Sequence, residues 1–270
     1  MNKLKLITVI VVFAVFSCTK NNNMEPSTIN SRVIFLHHST GKTIWRGGNT
    51  FAQKVKLKLG LPSAVEKWFK NYNQQNGTDY QVDARPFPAR EPYGWKNYPY
   101  DYYKIWVENG HLDYYEDEPT LKTLTKEYGV IILKHCFPVS KLKSESEAAN
   151  IESDEKTIEN YKLQYEALYQ EFQKYPNHKF LLWTPPALTE RKSKEQWAKN
   201  MDEFYNWMKN DWDKIDDNVY LWDFRELETE GGIYLLDKYA ETPSDSHPNT
   251  ALAQKAYPLF CKKIVEVLNR

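Results

Sequence analysis

The sequence predicts an α/β fold with a parallel five-stranded sheet covered by helices on both faces. Three observations carry this expectation. Five short apolar runs are spread along the chain, helical patterns fill the intervals between them, and three of the runs are almost wholly apolar. Strands covered on both faces need such runs, and strand alternating with helix is the signature of a parallel sheet.

The expected strands are "RVIFLH" (32–37), "YQVDA" (80–84), "GVIILK" (129–134), "HKFLLW" (178–183) and "NVYLWD" (218–223). Between the first two, "PSAVEKWFKNY" offers Ser63 and Glu66 as a capping box, with Val65, Trp68, Phe69 and Tyr72 on one helical face. Residues 155–174 set Ile158, Tyr161, Tyr165, Leu168 and Phe172 at steps of three and four, and residues 195–210 repeat the pattern with Trp197, Met201, Phe204, Tyr205 and Met208. A last helix is expected from about Ala251, bent or split at Pro258. Residues 85–127 break this rhythm. They are too long and too aromatic for a plain crossover, and read as an elaborated loop with some helix inside one domain of residues 32–270.

The N-terminus reads as a targeting segment. Lys3 and Lys5 precede an apolar run from Leu6 to Phe16, then Ser17 and Cys18, the charge–apolar–small order of an export signal. Val15, Ser17 and Cys18 resemble a bacterial lipobox, which implies a signal peptide over 1–17, lipidation at Cys18 and a polar tether over 18–31. The expected location is therefore a membrane-anchored lipoprotein, periplasmic or at the cell surface, touching the membrane only through its lipid. With 36 basic against 36 acidic residues, nothing favours nucleic acid as a partner. Cys136 and Cys261 carry no framework or metal spacing.

Ligands of open parallel sheets gather beyond the carboxyl ends of the strands. That edge receives "HHSTG" after the first strand, the Gly94-bearing aromatic loop after the second, "KHCFPVS" after the third and, late in the chain, "SDSHPN". A serine at a strand-to-helix turn can simply cap the helix. Ser39 gains a chemical reading from Asp245 and His247, because a hydroxyl becomes nucleophilic when an imidazole takes its proton and a carboxylate orients that imidazole. His37 and His38, adjacent on a strand, point to opposite faces and cannot share one metal ion, so neither a metal nor another cofactor is expected.

An early strand ending in Ser39, with His247-Pro248 just ahead of the last helix, resembles the SGNH/GDSL hydrolase family, as a divergent lipoprotein member. The resemblance implies a flavodoxin-like α/β/α sandwich and hydrolysis of esters, with Ser39 as nucleophile, His247 as acid–base and Asp245 as its partner. It departs from the family where "HHSTG" replaces Gly-Asp-Ser, where Asp245 stands two rather than three residues before the histidine, and where "LKHCFPVS" replaces Gly-x-Asn-Asp. The two-residue spacing is similar to that of acyltransferases acting on bacterial polysaccharides. Oxyanion donors are then expected from Ser39, Gly94, and Lys134 or His135. Tyr93, Trp95 and Tyr98, with His38, are candidate substrate contacts, since aromatic faces stack on sugar rings. The aromatic loop reads equally as a lid or as a satellite core. The expected substrate is a small-molecule or glycan ester, an acylated and for example acetylated carbohydrate. The alternatives are a catalytically degraded glycan-binding lipoprotein and a polysaccharide O-acyltransferase.

Overall fold

A computed structural model describes residues 26–144 and 148–270. The expected signal peptide, Cys18 and most of the tether lie outside the described residues. Five parallel strands form the main sheet: β1 (Arg32–His37), β2 (Gln81–Pro86), β3 (Val130–Leu133), β4 (Lys179–Trp183) and β5 (Val219–Trp222), in spatial order β2-β1-β3-β4-β5. This is the flavodoxin-like order, with the topological switch between β1 and β3. A two-stranded ribbon, Ala240–Thr242 paired with Asp245–Pro248, stands apart from the sheet.

Alternate residues of the strands feed two cores. On one face Val33, Phe35, Ile132, Leu181 and Trp183 meet helices α1 (Ser39–Arg46), α3 (Ala64–Asn76) and α7 (Thr250–Leu268). The short α2 (Phe51–Lys58) links α1 to α3. On the other face Ile34, Leu36, Ile131, Leu133 and Leu182 meet α4 (Ile158–Phe172) and α5 (Glu195–Trp207). The period-two split of each strand between two layers is what makes the central runs continuously apolar. A last short helix, α6 (Phe224–Thr229), follows β5 and is capped by the Asp223 carboxylate on the Glu226 N–H.

The elements follow local chemistry. Ser63 and Glu66 close both halves of the capping box at the start of α3, and Gly77 ends that helix in the left-handed region. Pro258 neither splits nor ends α7, which is helical from Thr250 to Leu268. Part of the 85–127 segment is core. Phe87, Tyr102, Ile105 and Trp106 are fully buried beneath α4, and the edge-on Tyr102–Trp106 pair sits at 4.9 Å. The lid reading does not hold for these rings.

Candidate active site

The site begins where β1 runs out. His37 ends the strand, His38 stands at the N-cap of α1, and Ser39 is the first helical residue. This abrupt turn depends on Gly41. A Cβ there would come within 2.5 Å of the His37 Cβ and 2.9 Å of the Phe35 ring, so the first turn of α1 lies directly against the strand end. His37 is buried, and desolvation pushes its imidazole down to about 3. The neutral ring's Nδ1–H donates to the His38 carbonyl at 2.9 Å. His38 is held in turn by its Nε2 at 2.7 Å from the Pro88 carbonyl, and burial lowers its pKa as well.

The partner group comes from the far end of the chain. In the Asp245–Pro248 strand, residues two apart share a face. Asp245 and His247 therefore point the same way, while Ser246 turns inward and its hydroxyl accepts the Thr189 N–H at 3.0 Å. The carboxylate of Asp245 accepts both the His247 backbone N–H, at 3.0 Å, and its ring Nδ1–H, at 2.6 Å. Those two bonds make the two-residue spacing geometrically sufficient. Partial burial pushes the Asp245 carboxyl up, but the hydrogen bonds from His247 outweigh it and hold the group below its ordinary value. With its proton on Nδ1, the ring presents the Nε2 lone pair to the Ser39 hydroxyl at 2.9 Å. Asn249 then caps α7 on the Leu252 N–H, fixing the loop from behind.

Phe137 packs edge-on against the His247 ring at 4.7 Å, and the Cys136 thiol lies 3.9 Å from the Ser39 hydroxyl. Sequence reasoning gave Phe137 no role and noted of Cys136 that it carries no framework or metal spacing. Their place in "KHCFPVS", on the same sheet edge as Ser39, was the available signal. Asn97 also went unnoticed. It is buried, and its side-chain oxygen accepts the Cys136 N–H at 2.7 Å, anchoring the loop after β3.

Several expected contributors are engaged elsewhere. The Gly94 N–H donates to the Arg90 carbonyl at 2.5 Å inside its own turn, so it is not an oxyanion donor in this arrangement. The Lys134 ammonium is fully buried, with its pKa lowered by desolvation, and points to the Cys136 sulfur at 3.5 Å rather than to Ser39. The His135 ring lies in the core, edge-on to Tyr102 and Tyr165, where burial holds it neutral with a pKa of about 3 and its Nδ1–H donates to the Asn97 carbonyl. Ser39 differs from these three. It opens a helix, and the first N–H groups of a helix have no acceptor within it.

Among the candidate substrate contacts, Trp95 packs on the core beside Tyr115, and Tyr98 carries the Lys156 ammonium over its ring at 4.2 Å. Tyr93 is exposed and donates to Asp117. Among the described residues none of the three is hydrogen-bonded to, or ring-packed against, Ser39 or His247. Cys136 and Cys261 are both free thiols, and among the described residues no cluster of three His, Cys, Asp or Glu side chains is placed to hold a metal ion. The arrangement can do one thing directly: move a proton from the Ser39 hydroxyl to an imidazole already oriented by a carboxylate. No protein-family model matches the chain, and no curated protein matches it either.

Proposed function

We propose that the protein is a serine-dependent ester hydrolase of SGNH/GDSL character, carried on an exported lipoprotein and acting on acylated, for example acetylated, carbohydrate. The observation that supports this most is the unbroken chain from Ser39 Oγ to His247 Nε2 at 2.9 Å and from His247 Nδ1 to Asp245 at 2.6 Å. Ser39 Oγ attacks the acyl carbon while its proton passes to His247. The carbonyl π electrons move to oxygen, and that oxyanion faces the Ser39 and Thr40 N–H groups at the positive end of α1. Collapse expels the sugar alkoxide, which takes the proton from His247 and leaves an acyl-Ser39 ester. Water, deprotonated by His247, then releases the carboxylic acid. Asp245 keeps the imidazole in the required tautomer and stabilises its cationic form.

The test is hydrolysis of a short-chain aryl ester by purified protein. Ser39→Ala and His247→Ala are each expected to reduce kcat to background while the far-ultraviolet circular dichroism stays unchanged. Activity that survives either substitution overturns the proposal.

One observation favours a second reading, a glycan-binding protein that has lost catalysis. The loop after β3 brings a thiol rather than an amide to within 3.9 Å of the Ser39 hydroxyl. Covalent labelling of Ser39 by a fluorophosphonate separates the two readings, since a degraded site would leave Ser39 unlabelled.

A further inference from the structure

A groove of about 660 Å³ lies between α1, α3 and α7. Its position is set by the same helices that carry the site. Arg46 lines it from the far end of α1, seven residues beyond Ser39, and Gln254 lines it from α7, seven residues beyond His247. At the α-helical rise per residue, the Arg46 wall stands roughly 10 Å along α1 from Ser39. Its base is tied together at Gly47, whose carbonyl accepts the side-chain amides of both Gln53 and Gln254. A Cβ at Gly47 would fall 2.7 Å from the Ala64 side chain, and its φ of +74° is one that glycine adopts freely.

The lining chemistry is one-sided. Arg46, Lys67 and Lys70 converge on the groove, no aspartate or glutamate lines it, and none of these three cations makes an ion pair among the described residues. The neighbouring carboxylate, Glu66, is bound to the Ser63 N–H in the capping box. In a chain whose charges balance at 36 against 36, this is a local positive field. Two aromatic side chains, Trp68 and Tyr257, and the Asn71 amide complete the walls. Rings and amides suit sugar rings and their hydroxyls, whereas the cations call for carboxylate or sulfate.

We infer that this groove binds anionic sugar units of an acylated acidic polysaccharide while an acyl group on a nearby unit of the same chain lies at Ser39. The inference deepens the esterase reading and rests on it for the acyl group only. A small ester at Ser39 cannot reach the groove, but a polymer spans both. Phe51 and Leu59, at the start of and just after the α2 helix whose Gln53 lines the groove, are 82% and 72% exposed, a surface that a lipid bilayer could also contact. The cations and rings nevertheless line a recess rather than a convex face, which favours the glycan.

The experiment is calorimetric titration of the Ser39→Ala protein with oligogalacturonate, with sulfated chondroitin oligosaccharide, and with a neutral malto-oligosaccharide. At least one acidic glycan is expected to bind, more weakly as salt rises, while the neutral one does not. The double variant Lys67→Gln/Lys70→Gln, made in that background, is expected to bind about tenfold more weakly at an unchanged unfolding midpoint. Trp68→Ala is expected to weaken binding as well. Failure of both acidic glycans to bind, equal affinity in the double variant, or binding to phosphatidylglycerol vesicles in place of the glycans overturns the inference. Because Ser39 is already removed, none of these outcomes bears on whether Ser39 is the nucleophile.

Discussion

At the scale of the single residue, the proposed chemistry turns on how Asp245 holds His247. A carboxylate that accepts both the backbone and the ring N–H of one histidine fixes that ring's rotation and its tautomer together. Asp245→Asn keeps the shape but allows the amide to donate toward Nδ1, which favours the tautomer with the proton on Nε2, facing Ser39. The expected result is a fall in kcat of about 10³-fold or more with KM little changed. Steady-state kinetics on the aryl ester checks it, and a loss below tenfold would remove Asp245 from the mechanism. Asp245 was legible in the sequence through the Asp-x-His spacing just ahead of the last helix. The oxyanion donors were not. Backbone N–H groups have no sequence signature, and only the turn geometry shows that the Gly94 donor is consumed by Arg90.

At the scale of the element, α1 governs where Ser39 sits. Its sequence, "STGKTIWR", has too few apolar residues to announce a helix, and sequence reasoning placed Ser39 at a strand-to-helix turn without giving that helix a range. What makes the turn possible is the contact of Gly41 with His37 and Phe35. Gly41→Ala is expected to cost about 1–3 kcal/mol of stability by overpacking. It should also lower kcat, since the new methyl pushes the first turn, and Ser39 with it, away from His247. Thermal unfolding and kinetics on the same preparation check both parts. The strands and α3, α4 and α5 were legible because period and capping are local signals. The burial of Tyr102 and Trp106 was not, because it depends on α4, which arrives some fifty residues later. The continuity of α7 through Pro258 was hidden for a similar reason: packing along the sheet, not local propensity, decides it.

At the scale of the whole molecule, buried ionisable groups set the dependence of stability on pH. His37 and His135 are held neutral, with pKa values depressed to about 3 from an ordinary 6.5. Between those values the unfolded chain binds more protons than the fold, so their contribution is lost as pH falls through that window. Glu228 acts in the opposite direction. It is fully buried, and desolvation raises its carboxyl from 4.5 to about 8, against the pull of the Ala187 N–H, Arg225 and Lys134. There the fold binds the extra proton, so stability is lost as pH rises from 4.5 through about 8. Glu228→Gln is therefore expected to gain on the wild type progressively across that interval, read as the difference in urea midpoint at successive pH values. A difference that stays flat with pH would mean that Glu228 is ionised in the fold.

The bond between Ser39 and His247 joins positions 208 residues apart, one at the end of the first strand and the other just before the last helix. Every other layer of the sandwich lies between them along the chain. Nothing short of the finished molecule can therefore place the hydroxyl against the imidazole. A chain still emerging from a ribosome has Ser39 long before it has His247. Under the proposed esterase reading such a chain is chemically silent toward esters it passes on the way, and its reactivity waits for the last helix to dock.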